Sequence, residues 1–151
     1  MSTHSTSTHR TPIQLAALAV AAVFLLVGVL GFVPGVTSSY DQMMFAGHES
    51  EAHLLGLFQV SILHNIVHLL FGVVGFALAR TATGARGFLS GGGIIYLLLW
   101  VYGLIIAAES PANFVPLNTA DNWLHLALGL GMAVLGFALA RTAAATKPST
   151  A

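Results

Sequence analysis

The sequence predicts an all-α membrane protein: a four-transmembrane-helix bundle built from two parallel-repeat helical hairpins, with the N- and C-termini both cytoplasmic. Three observations carry this: four long apolar segments, a one-sided distribution of charge, and a block of sequence that occurs twice. Of the 151 residues, 56% are hydrophobic and only 7% charged, against roughly 25% charged in a soluble domain. A chain this short leaves much of its surface exposed, so lipid is the solvent that suits it.

The first apolar segment, residues 13–33, follows Thr11-Pro12, a helix-starting pair in which threonine caps and proline takes the first turn. Its apolar core exceeds the roughly 7–15 residues of a secretory signal and no small-x-small site follows, so it reads as a retained span. The second span is set at 57–79, inside an apolar run from His53 that is too long for one crossing and is expected to break near Gly56. The third covers 88–108 and opens near Gly91-Gly92-Gly93, a packing element rather than a phosphate loop, since no Lys-Ser/Thr follows. The fourth covers 122–140, with Thr119 or Asp121 expected to cap it. Each approaches the 20 or so residues that cross a hydrocarbon core of about 30 Å. Residues 1–11 and 142–151 are small and polar and read as disordered cytoplasmic tails around one transmembrane domain, 12–141.

All five basic residues, Arg10, Arg80, Arg86, Arg141 and Lys147, fall in the two tails and the loop between spans two and three. All five acids, Asp41, Glu49, Glu51, Glu109 and Asp121, fall in or beside the other two connections. The basic side is the cytoplasmic one, which puts both termini inside. Zero net charge leaves no nucleic-acid footprint, and the absence of cysteine excludes disulfides, thiolate metal sites and covalent haem attachment.

Span two carries Asn65-Ile-Val-His68 followed by Gly72 and then GFALARTA from Gly75. Span four carries Asn122-Trp-Leu-His125 followed by Gly129 and then GFALARTA from Gly136. Both blocks run toward the inside, so the halves are expected to be related by a pseudo-twofold axis along the membrane normal, with spans two and four as neighbours. FAGHES, LLGLFQVSILHNIVHLLFG, NFVPLNTADNW and the paired N-x-x-H resemble a family of small bacterial four-span membrane proteins, the domain of unknown function forty-three eighty-three. The likeness runs from about Pro12 to Arg141. It implies a multi-pass protein of the bacterial cytoplasmic membrane and brings no activity, ligand or catalytic residue.

Ser61, Asn65, His68, Asn122 and His125 share faces with small residues further in, a pattern in which polar groups hydrogen-bond across helices rather than meet lipid. They are expected to form a structural clasp, the non-enzymatic reading in which no cofactor is bound. A second reading makes His68 and His125 the axial ligands of a haem, which needs no cysteine. A third joins His64 and His68, spaced i, i+4, with His125 around a transition metal. Glu49 and His53 would form a surface metal pair if that stretch were helical. Ser61 and Ser90 lack any nucleophile motif, so the sequence leans away from an enzyme. The partners left open are the lipid bilayer, a second copy of the chain, or another membrane protein.

Overall fold

The computed structural model describes residues 9–145, with side chains to Leu139; residues 1–8 and 146–151 of the expected tails lie outside the described residues. The architecture is four helices, α1 (Pro12–Leu30), α2 (Ile62–Leu78), α3 (Ala82–Ile105) and α4 (Thr119–Ala145), with a small sheet between the first two. By length and composition α1, α3 and the Thr119–Leu139 part of α4 can cross a membrane, whereas α2 has 17 residues, about 25 Å of helix. Only 22–28% of the residues in the three long spans are buried within the protein. The remainder is an apolar exterior, with Leu15, Val23, Leu26, Leu98, Leu104 and Val134 all exposed, far more than a soluble monomer presents to water.

Helix ends are fixed by local chemistry. Thr11 and Gln14 form a reciprocal cap at the start of α1, with Thr11 N donating to Gln14 Oε1 at 3.0 Å. The Gln14 amide also donates to the carbonyls of Ala79 and Arg80, at 3.1 and 2.9 Å, and so satisfies the C-terminus of α2 from across the hairpin. Ser61 caps α2 by accepting from His64 N at 3.1 Å, and Thr81 caps α3 by accepting from Gly84 N at 3.0 Å. At α4 the cap oxygen is that of Asn118, not of Thr119 or Asp121. Asn118 Oδ1 accepts from Asp121 N at 2.9 Å, while Asp121 Oδ2 returns the bond to Asn118 N at 3.1 Å. The helix then runs on to Ala145, past the 142 boundary expected for the tail.

The second helix begins at Ile62 rather than at residue 57, and the apolar stretch before it is a hairpin. Strands β1 (Thr37–Ser38), β2 (His53–Leu54) and β3 (Phe58–Gln59) pair antiparallel in that order, with Ser38 opposite His53 and Leu54 opposite Phe58. Leu55 and Gly56 turn the hairpin with φ of 55° and 69°, the left-handed pair that matches strand twist. Glu49 therefore has no helical i, i+4 relation to His53, whose Nδ1 instead lies 2.8 Å from the Glu51 carbonyl.

Helix pairs approach closely where side chains are absent. A Cβ on Gly72 of α2 would lie 2.9 Å from Leu25 N of α1, and one on Gly136 of α4 would lie 2.8 Å from Ser90 N of α3. Thus α1 packs chiefly on α2 and α3 on α4, giving two tight hairpins. The hairpins meet mainly along α1 and α3, not along the expected second and fourth helices. The reason lies in the core: Ala17, Ala21 and Phe24 of α1 face Ala85, Phe88, Leu89 and Tyr96 of α3 in one buried cluster. Small residues admit the rings, and Phe24 packs edge-on to Phe71 at 4.8 Å and tilted to Tyr96 at 5.4 Å.

Candidate ligand cavity and polar clasps

The two asparagines sit at matching places. Asn65, in the first turn of α2, lies against Gly31 at the end of α1, where its carboxamide occupies the space that a Cβ on Gly31 would need. Asn122, in the first turn of α4, lies in the same way against Gly103 in the last turn of α3, and its Nδ2 donates to the Gly103 carbonyl at 3.0 Å. Asn65 Nδ2 meets Met43 Sδ at 3.9 Å. The asparagines therefore fasten each hairpin internally rather than one hairpin to the other. Ser61 makes no bond between helices; its hydroxyl is the α2 cap.

The histidines form a row that reaches from one hairpin to the other. His64 and His68 stack with ring centroids 4.4 Å apart and planes 9° from parallel. His68 Nδ1 lies 3.0 Å from the His64 carbonyl, which can only accept, so that nitrogen carries the proton. His68 Nε2 is then the acceptor and faces the Tyr96 hydroxyl of α3 at 3.4 Å, a long and weak contact. Tyr96 in turn stands edge-on to His125 of α4, with centroids 5.1 Å apart. The order across the bundle is thus His64, His68, Tyr96, His125.

These four side chains line a cavity of about 260 Å³ between α2, α3, α4 and the Phe114–Val115 segment, whose other walls are aliphatic or aromatic. Its polar members are strongly buried, with His64 8% and His125 3% exposed. His64 Nδ1 and His125 Nδ1 are buried and have no hydrogen-bond partner among the described residues. Such atoms are uncommon in folded proteins and call for an explanation.

The cofactor expectations meet this geometry unevenly. Three imidazoles do share one cavity, but among the described residues no three His, Asp or Glu side chains converge closely enough to hold a metal ion. Tyr96 lies between His68 and His125, with its hydroxyl 3.4 Å from His68 Nε2 and its ring edge-on to His125.

The α1–α2 and α3–α4 connections are tied together into a hydrogen-bonded cap. Asp121, buried at the head of α4, accepts from Gln59 N of β3 at 3.0 Å, and Asn118 Nδ2 donates to the Leu57 carbonyl at 2.8 Å. Gln59 Nε2 donates to the carbonyls of His48 and Ser50, at 2.9 and 2.8 Å, and Ser50 Oγ donates to the Val60 carbonyl at 2.6 Å. Gly47 N reaches the Phe114 carbonyl at 2.9 Å, joining the loop between β1 and β2 to the loop before α4. Asn113 braces that second loop through bonds to Ala108 and Leu117. Sequence reasoning missed Tyr96, Gln59, Ser50, Asn113 and the cap role of Asn118. The available signal was the density of amide and hydroxyl residues in two otherwise apolar connections.

No curated protein and no solved structure is matched by this chain. The model of the family described as a domain of unknown function (DUF4383) matches residues 14–138, nearly all of the four-helix region, and the chain belongs to that family.

Proposed function

We propose that the protein is a non-enzymatic structural or accessory protein of the bacterial cytoplasmic membrane. In this reading it is a four-span bundle of two duplicated hairpins with both termini inside. One observation carries it: in both halves an asparagine carboxamide fills the space beside a glycine of the preceding helix, at equivalent places. Adding 72 to Gly31, Leu25 and Phe24 gives Gly103, Leu97 and Tyr96; adding 57 to Asn65, His68 and Gly72 gives Asn122, His125 and Gly129. The partnerships carry over with the numbers. Gly72 abuts Leu25 as Gly129 abuts Leu97, and Phe24 packs on His68 as Tyr96 packs on His125. Small residues and interhelical polar contacts are what fasten helices where lipid removes the hydrophobic drive. The hydrogen-bonded outer cap supports a role in which a fixed external surface is presented.

The test is a pair of substitutions. Asn65→Ala and Asn122→Ala are each expected to lower stability by about 1 kcal/mol. Because they act in separate hairpins, the double variant should lose the sum within about 0.5 kcal/mol. Strong non-additivity would contradict independent clasps. The alternative, a redox module holding haem or a transition metal at His64, His68 and His125, draws support from the shared cavity. Absorbance spectra and metal analysis of gently purified protein separate the two: a Soret band or stoichiometric metal, lost in His68→Ala, would replace the structural reading.

A further inference from the structure

We infer that the histidine cavity binds the head group of a neutral, lipid-soluble molecule of the quinone or quinol class, whose tail lies in the apolar furrow beside α3. The inference rests on the membrane reading above and not on the clasps. Volume comes first: an apolar cavity of about 150 Å³ accepts benzene, so about 260 Å³ suits one substituted ring. Charge comes second. Among the described residues no Asp, Glu, Lys or Arg lines the cavity, so an ionised ligand would lose its hydration without a counter-charge.

The polar groups then select the head. His64 on α2 and His125 on α4 each bring a buried Nδ1 without a partner among the described residues, and they belong to separate helices lining one cavity. A ring with oxygens at two edges can meet both imidazoles at the ring edges that line the cavity. A neutral imidazole has one N–H and one lone pair, so it can serve carbonyl or hydroxyl oxygens. Phe71 and Phe114 supply flat walls for the ring.

Access selects the tail. The cavity adjoins a furrow of about 310 Å³, with Ile95, Leu99, Phe114 and Val115 lining both. Leu98 and Tyr102 extend the furrow along α3, and Ile95 and Leu98 are exposed on what this reading makes the lipid face. Entry along such a wall favours a molecule already dissolved in the bilayer.

The test uses full-length protein in lipid nanodiscs, titrated calorimetrically with a decyl-tailed benzoquinone and, separately, with decanol as the tail alone. Saturable binding of one quinone per chain is expected, with decanol at least about ten-fold weaker. Tyr96→Phe removes the hydroxyl that stands beside His68 in the cavity wall and keeps the packing, and His125→Leu removes one imidazole. Each should weaken the quinone about ten-fold and leave decanol unchanged. Equal affinity for decanol, or quinone binding indifferent to both variants, would overturn the inference. If His125→Leu does not fold, Tyr96→Phe decides alone. Single-cysteine labelling on the same preparation keeps the failures apart: a correct four-span pattern without quinone binding sinks this inference and spares the membrane reading.

Discussion

Adding one methyl group to Gly103 is the sharpest perturbation of the second hairpin. The new Cβ would fall on the Asn122 carboxamide, whose Nδ2 holds the Gly103 carbonyl at 3.0 Å. The amide must swing away and give up that bond, worth about 0.6–1.7 kcal/mol between membrane helices. Displacing neighbours in a packed interface adds about 1–3 kcal/mol. Against this, alanine improves on glycine in a helix by about 1 kcal/mol. The net expectation for Gly103→Ala is a loss of about 2 kcal/mol. Gly131→Ala supplies the control, because it lies within α4 with nothing within 4 Å of its Cβ, so only the helix gain of up to about 1 kcal/mol remains. Unfolding of the two variants in one detergent, followed by circular dichroism, should separate them by about 3 kcal/mol. A Gly103→Ala, Asn122→Ala double variant should recover the clash component but not the lost bond. Equal stability of Gly103→Ala and Gly131→Ala would refute the clasp.

Other expectations follow from the caps and the β2–β3 hairpin. Leu55 is exposed yet held at φ 55°, so Leu55→Asn should stabilise by up to about 1 kcal/mol in thermal unfolding, and a clear loss would mean that Leu55 has a packing role. Ser61→Ala removes the α2 cap and should cost about 1 kcal/mol, whereas Ser90→Ala, whose hydroxyl bonds only its own helix at Arg86, should stay within about 0.5 kcal/mol. Asp121→Ala breaks bonds to two segments and should increase proteolysis of the α1–α2 and α3–α4 connections as well as lower stability by about 2 kcal/mol; unchanged proteolysis would detach Asp121 from the cap. Nitrogen NMR of His68 should report the proton on Nδ1, and a proton on Nε2 would contradict the bond to the His64 carbonyl.

How far the sequence could be read varied by element. Helix existence was legible because an 18-residue apolar window is a strong signal, and the α1 cap was legible from Thr11-Pro12. The start of α2 was not. Leu54, Leu55, Leu57 and Phe58 look like helix to any count of apolar residues. What makes them a hairpin is the Leu55-Gly56 turn and the hold of Gln59 on His48 and Ser50, which are distant in sequence. The asparagines were identified, but Asn65 packs against Gly31 and Asn122 bonds the Gly103 backbone, and neither glycine carries a side chain for a pattern to detect. The repeated blocks also left open which helices touch. Alanines on α1 and the aromatic row on α3 settled that, and Tyr96 consequently entered the histidine row where span four alone was expected.

The short second helix makes topology the most direct test. The chain lacks cysteine, so single cysteines at Asp41, Arg86 and Glu109 can be labelled with a membrane-impermeant maleimide in intact cells without background. Labelling at 41 and 109 with protection at 86 is expected if all four helices cross. Equal labelling at 41 and 86 would mean that Ile62–Leu78 does not span, and the paired-hairpin bundle would fall with it.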